Sequence, residues 1–327
     1  MHPSAHATRS FSDTEDLSNA LKHANVAAMQ VSKGAFSATL SQMHFRDWSL
    51  QFIEFFEGAS VCAGDAPSDN HAFVLPLRYT PHCRLLGEAL TDDTLGVYAP
   101  NSEHADATFG GCREVVIVPP KGIMCELSET EQALRLPTCG STLRRASVRG
   151  LAQLRDVLYR IPQSYGERGQ ALDYESTQRS LSDAIACALD ESLRPNLSET
   201  NGNLGRPKMP RSAILRRIED ILHTRRDSPV FAGELAREVG ISQPSLQRVF
   251  AEWFGMPPAR YLSLKRFYMA RQMLRTGSAA SVTDAACTLG FWDFSRFSRN
   301  YKLLFGELPS ETLHGEKVKS GGMKDPA

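Results

Sequence analysis

No apolar run among the 327 residues approaches the roughly 18 needed to cross a bilayer as a helix. The first thirty residues, MHPSAHATRSFSDTEDLSNALKHANVAAMQ, carry acids and lack an apolar block, so they do not read as a signal peptide. The expected location is the cytoplasm, with no membrane partner. Cysteine is sparse and irregular: seven residues, at 62, 83, 112, 125, 139, 187 and 287, odd in number and never spaced C-x-x-C. That pattern argues against a disulfide framework and a zinc knuckle, and fits small buried hydrophobes in a reducing compartment. Paired histidines are missing too. His44, His71, His82 and His104 stand alone in the sequence, so neither a metal nor a cofactor is expected. With no G-x-S-x-G, no P-loop and no clustered metal ligands, no catalytic residues are assigned.

Net charge is absent only on average. Lys+Arg and Asp+Glu both number 37, yet residues 1–205 hold 17 cations against 25 acids, and residues 206–327 hold 20 against 12. An acidic first part joined to a basic second part points the second at a polyanion. The chain is long enough for two domains, each with its own core.

Phe36 to Pro120 reads as strands: ATLSQMHF, WSLQFIEFF, HAFVLPLR, TLGVYAP and REVVIVPP, separated by turn-rich breaks such as EGASVCAGDAPSDN. Short strands at this spacing predict a small barrel or sandwich. Helical patterns follow over 121–193, in GIMCELSETEQAL, LAQLRDVLYRI and ESTQRSLSDAIACALDESL. In the last, Leu181, Ile185, Ala188, Leu189 and Leu193 form a stripe that serves either core packing or a dimer seam. Residues 194–212, RPNLSETNGNLGRPKMPRS, read as a linker. Such a linker implies few contacts between the parts it joins. Residues 1–35 are expected as an N-terminal arm or helix, and 315–327 as a disordered tail.

The basic part writes one pattern twice. GISQPSLQRVFAEWFGMPP, from Gly240, and GFWDFSRFSRNYKLLFGELP, from Gly290, share a frame. Ala236/Ala286 and Gly240/Gly290 are 50 apart, whereas Leu246/Phe297, Arg248/Arg299, Phe250/Tyr301, Gly255/Gly306 and Pro258/Pro309 are 51 apart. The extra residue therefore falls between Gly290 and Phe297, inside a turn. A helix would be rotated about 100° by it and lose its buried face. Small Ala236, turn-forming Gly240 and capping Ser242 have Ala286, Gly290 and Asp293 as counterparts. The expectation is a duplicated helix-turn-helix at 232–253 and 282–303, joined by a connector helix over 257–275 whose stripe is Tyr261, Leu264, Tyr268, Ala270, Met273 and Leu274. At 1.5 Å per residue the connector spans roughly 25–30 Å, near the roughly 34 Å between successive major-groove faces.

LAREVGIS, LQRVFAEWFGMPPARYL, RQML and GF-x-D-FSRFSRNYK-x-x-FG-x-x-P together resemble the DNA-binding domain of the AraC/XylS transcriptional regulators, over 213–314. The segment departs from the family pattern near its end, with Leu308 for a small hydroxyl residue, and Thr312 and Leu313 where an aromatic and an arginine are usual. The resemblance implies an α+β multidomain protein, with a cupin-like β-barrel (36–120) and flanking helices (121–193) before an all-α domain of two helix-turn-helix units. It further implies effector binding and dimerisation by residues 36–193, and RNA polymerase as a partner if the protein is an activator. Positions matching the family's base-facing surface are Ser245, Gln247, Arg248, Ser295, Arg296 and Arg299.

An exposed arginine on a recognition helix can grip guanine O6 and N7 with two hydrogen bonds. Arg248 and Arg299 repeat at one helical face, away from Leu246/Phe250 and Phe297/Tyr301; the bland alternative is a structural ion pair such as Arg248 with Glu252. Lys302, Arg260, Lys265 and Arg266 read as phosphate contacts, and Trp292 as a wedge in the turn or a residue packed against the connector. The reading is a double-stranded-DNA-binding regulator controlled by a small effector. An architectural protein whose first domain only dimerises is the alternative, and an enzyme in the barrel the last.

Overall fold

The computed structural model describes residues 5–22, 24–66, 69–121, 123, 136–137, 139–167, 174–193, 211–225 and 228–320. The expected linker, apart from residues 211 and 212, and nearly all of the helix expected at 122–134 lie outside them.

The first part contains β1 (Ala5–Phe11), α1 (Thr14–Ala20), β2 (Asn25–Gln30), β3 (Ser37–Phe45), β4 (Trp48–Glu57), β5 (Ala59–Asp65), β6 (Ala72–Arg78), β7 (Arg84–Leu85), β8 (Glu88–Ala89), β9 (Thr94–Tyr98), β10 (Glu103–Phe109), β11 (Arg113–Val118) and β12 (Ser141–Arg145). They form two antiparallel sheets, ordered β1-β3-β4-β11-β6-β9-β12 and β2-β5-β10-β7-β8. Neither sheet closes on itself, so the expected barrel is an open two-sheet arrangement. The described residues from 5 to 35 are no separate arm: β1 and β2 supply one edge strand to each sheet, with the short helix α1 between them. Their short alternations are weak signals in sequence, because an edge strand is paired on one side only.

Register is set locally. Arg46 and Asp47, both at positive φ, make the two-residue turn that pairs Phe45 with Trp48 in the β3–β4 hairpin. The long apolar run of β4 is buried on both faces. On one side Trp48, Leu50 and Phe52 join Phe73, Leu75, Val97, Val115 and Ile117 against α2 (Val148–Glu167) and α3 (Glu175–Leu193). Trp48 Nε1 donates to Ser182 Oγ at 2.9 Å. Ile185, Ala188, Leu189 and Leu193 are buried in this cluster. The α3 stripe is therefore core packing, not a free seam. Gly150 lets α2 cross α3 closely, since a Cβ there would come 2.5 Å from the Ser192 nitrogen. Cys83 and Cys112 come together as a sulfur–sulfur pair under β3 and β4.

The second part is helical: α4 (Arg211–Thr224), α5 (Ala232–Val239), α6 (Gln243–Phe254), α7 (Pro258–Thr276), α8 (Val282–Thr288), α9 (Phe294–Phe305) and α10 (Pro309–Ser320). α10 packs on α7 and continues six residues into the segment expected to be disordered. Its atypical Thr312 is buried, and its hydroxyl lies 2.8 Å from Tyr301 Oη.

The two parts are joined by far more than their tether. Trp253 and Phe254 of α6 and Leu215 and Ile218 of α4 share one apolar cluster with Met29, Val61, Ala63, Leu85 and Leu86. Gly87, at φ +80°, allows the β7–β8 turn to sit on the Trp253 indole, where a Cβ would come 3.1 Å from the ring. Tyr268 Oη accepts from the Gln30 backbone N–H at 2.6 Å and lies 3.0 Å from Thr14 Oγ1. Burial raises that phenol to about 12, so it stays a hydroxyl. Arg271 pairs with Asp13, Arg275 with Glu15 at 3.2 Å, and Arg216 with Glu103. The expectation of few crossing contacts fails because the composition of a tether says nothing about the surfaces it joins.

Candidate nucleic-acid interface and sheet cavity

The α5–α6 and α8–α9 pairs are built from matching parts. Gly240 (φ 79°) and Gly290 (φ 73°) take the left-handed conformation that each turn needs. Just beyond, the Ile241 N–H bonds Ala236 O at 3.0 Å and the Phe291 N–H bonds Ala286 O at 2.9 Å, the same contact 50 residues later. The caps are 51 apart: Ser242 Oγ accepts from Ser245 N at 3.3 Å, and Asp293 Oδ1 from Arg296 N at 2.9 Å. The added residue is therefore Trp292. It does not wedge the turn, for it is 86% exposed. Phe291 fills that place, with ring centroids 4.7 Å from Phe267 and 4.9 Å from Phe297.

Ser245, Gln247 and Arg248 are exposed on α6, opposite buried Leu246, Val249 and Phe250. Ser295, Arg296, Arg299 and Lys302 are exposed on α9, opposite Phe297, Tyr301 and Leu304. Neither Arg248 nor Arg299 has a hydrogen-bond or ion-pair partner among the described residues. Arg299 and Lys302 line a groove of about 550 Å³ whose far wall is Gly34, Ala35 and Phe36. There the Gly34 N–H reaches Leu303 O at 3.3 Å.

Two expected phosphate contacts, Lys265 and Arg266, are engaged inside the protein, and the third, Arg260, stays exposed while it bonds a backbone carbonyl. The Arg266 guanidinium lies 4.9 Å and 5.0 Å from the Phe231 and Phe291 ring centroids and donates to Leu289 O at 3.3 Å. Half-buried Lys265 donates to Leu222 O at 3.4 Å, and Arg260 to Val31 O at 2.9 Å. A cation's presence in a sequence does not say which side of its helix it lies on. Lys302 alone of the four keeps an unpaired exposed ammonium among the described residues.

Trp292 gives a direct check on this face. Trp48 and Trp253 are buried, so acrylamide should quench Trp292 selectively, and bound DNA should protect it if the α8–α9 turn meets the duplex. Trp292→Ala should leave stability within about 0.5 kcal/mol of wild type, as for other surface changes. Unchanged quenching on a saturating duplex would place this turn away from DNA.

A second feature lies between the sheets. Leu17 and Leu21 from the α1 region, Val26 and Ala28 from β2, and Ile53, Phe55, Val74 and Val116 enclose a cavity of about 70 Å³. One end is polar, with Cys62, Tyr98, His104, Asp106 and Glu114, and no lysine or arginine lines it among the described residues. His104 lies 3.0 Å from Tyr98 Oη through Nδ1 and 3.0 Å from Asp106 Oδ2 through Nε2. Burial, then the charge of Asp106, pushes the Glu114 carboxyl well above its ordinary range. This gathering has no signature in the sequence, because these residues lie on four strands.

A basic helical domain with two matched exposed faces, carried on a β-rich domain, is that of a DNA-binding transcriptional regulator. Residues 235–315 match the helix-turn-helix domain family. The XylDLEGF operon transcriptional activator 3 of Pseudomonas putida is 28% identical over 292 residues, 88% of this chain and 85% of that one. The XylDLEGF operon transcriptional activator 2 of the same organism is 31% identical over 137 residues, 41% of this chain and 83% of that one. Among solved structures, the AraC-like transcriptional activator CuxR aligns over 82% of this chain and 96% of its own, at 12% identity and a TM-score of 0.38. The chain belongs to the AraC/XylS family of transcriptional regulators. None of its helices is long and apolar enough to cross a membrane, among the described residues.

Proposed function

We propose that the protein is an effector-controlled activator, whose α5–α6 and α8–α9 pairs are helix-turn-helix units that enter successive major grooves on one face of DNA. Ser245, Gln247 and Arg248 face one groove, Ser295, Arg296 and Arg299 the next, and Lys302 meets phosphate. α7, at 19 residues, spans roughly 28 Å. The protein works in the cytoplasm, on the nucleoid when bound, as a homodimer that contacts RNA polymerase. Its first domain has the cupin-like role of a sensor and carries no catalysis.

One observation carries the effector reading. The segment from Asp13 to Phe36 lines the cavity through Leu17, Leu21, Val26 and Ala28. The same segment holds the second domain through Asp13, Thr14, Glu15, Gln30 and Gly34. At about 70 Å³ the cavity is about half the roughly 150 Å³ that accommodates benzene in a protein core. An organic effector therefore displaces α1 to enter, and α1 is what grips α7. Binding energy at the cavity is thereby spent on the contact that positions α7 and α9.

The test is a thermal-shift screen of small metabolites on the full chain, followed by selection of bound duplexes from a random pool with and without the hit. The expected result is a compound that raises the melting temperature and changes affinity for one selected sequence. Selection that yields a sequence, with no compound altering affinity, would favour the effector-independent architectural reading.

A further inference from the structure

The polar end of the cavity is built to a pattern that the isolated residues did not reveal. β5 and β10 are antiparallel, and Cys62 stands directly opposite Asp106. His104 is two residues before Asp106 and so projects from the same face of the sheet. Register thus collects a thiol, an imidazole and a carboxylate from positions 42 and 44 residues apart. Their ligand atoms all lie within 4.8 Å of one another. All three side chains are buried or nearly so, and Gly64, opposite His104, adds no side chain to the group.

We propose that Cys62, His104 and Asp106 bind one divalent transition-metal ion of the zinc type. Sulfur, nitrogen and oxygen donors together suit a borderline ion, whereas magnesium and calcium take oxygen ligands. His104 is already oriented for the task. When an ion replaces the hydrogen bond between Nε2 and Asp106 Oδ2, the ring hydrogen sits on Nδ1 and is donated to Tyr98 Oη, 3.0 Å away, so that Nε2 turns its lone pair to the ion. Binding exchanges the Cys62 thiol proton, which leaves to solvent, for the ion. Three protein ligands leave a coordination position toward the cavity, where Glu114 lines the facing wall. An ion fits about 70 Å³ without displacing α1, unlike an organic molecule. Only the corollary that an effector's donor atom takes the open position rests on the sensor reading above; the metal site itself does not.

The probe is cobalt(II) on the tag-free full chain after chelator treatment and desalting. One ion per chain is expected, with a thiolate-to-cobalt charge-transfer band that zinc(II) competes away. Cys62→Ser should lose the band and bind at least tenfold more weakly, and Asp106→Asn should keep the band with weaker binding. Cys187→Ser, at an exposed cysteine on α3, should behave as wild type. A wild-type chain without the band, or a band that survives Cys62→Ser, overturns the site. Should cobalt fail to bind while a metabolite still shifts the melting temperature, the metal site falls and the sensor reading stands.

Discussion

Replacing Arg271 with alanine lowers the stability of the full chain by about 3 kcal/mol, toward the lower end of what breaking a buried ion pair costs. Arg271 is 12% exposed and sits among three carboxylates. It pairs with Asp13, lies 3.8 Å from Glu15 and 3.6 Å from Glu307, and its guanidinium is 4.7 Å from the Phe305 centroid. Alanine leaves those acids facing one another with Arg275 as the remaining nearby cation. Glu15 and Glu307 are partly solvated, which is why the lower end applies. Lysine should recover little, since a single ammonium cannot fork between acids or lie flat on Phe305. Two of the three acids belong to the first domain, so the loss is one of docking. A cycle with Asp13→Ala should return a coupling of about 0.5–3 kcal/mol. Below the new melting point, DNA affinity without effector should rise, because one of the contacts by which the segment from Asp13 to Phe36 holds α7 is gone. A melting temperature within one degree of wild type would show that the cluster contributes nothing to docking. Reduced DNA affinity in a folded variant would oppose the restraint.

What was legible in the sequence is what short-range chemistry determines. Ser242, Asp293, Gly240 and Gly290 announce caps and turns through neighbours at most a few residues away, and the change from 50 to 51 confines the insertion to the second turn. The strands of 36–120 announced themselves through alternation and turn residues. What was not legible depends on which surfaces meet. Arg260, Lys265 and Arg266 have the same composition signal as Lys302, yet Arg266 lies between Phe231 and Phe291, half-buried Lys265 bonds Leu222 O, and exposed Arg260 bonds Val31 O of the first domain. Cys62, His104 and Asp106 look unrelated until β5 pairs with β10 in one particular register. A slip of one residue would turn Cys62 to the other face. Trp292 reads as a wedge because aromatics usually pack, but the neighbouring Phe291 packs against Phe267 and Phe297 there.

The paired arginines yield the other large effect. Arg248 and Arg299 occupy equivalent places on α6 and α9, 51 residues apart, each exposed and each outward from a buried aromatic row. If each reads a base in its own major groove, the two contacts lie about 10 base pairs apart on one face of the duplex. Arg248→Ala and Arg299→Ala should each cost about 1–3 kcal/mol on a selected operator and relax preference at a single position. The relaxed positions should differ between the two variants, and the double variant should lose the sum, since the sites share no partner. Melting temperatures should stay at wild type because neither side chain supports the fold. Lys302→Ala supplies the contrast. A phosphate contact carries no sequence information, so its loss should weaken all duplexes alike and lower the salt slope by about one. The groove between Arg299 and Gly34–Phe36 adds a directional element. Arg299→Ala should matter less without effector than with it, whereas Arg248→Ala should cost the same in both states. Binding of each variant to a randomised operator, measured with and without effector alongside melting curves, reads all of these at once. Uniform weakening across sequences, with a fall in melting temperature for both arginine variants, would make them structural partners and end their assignment to base readout.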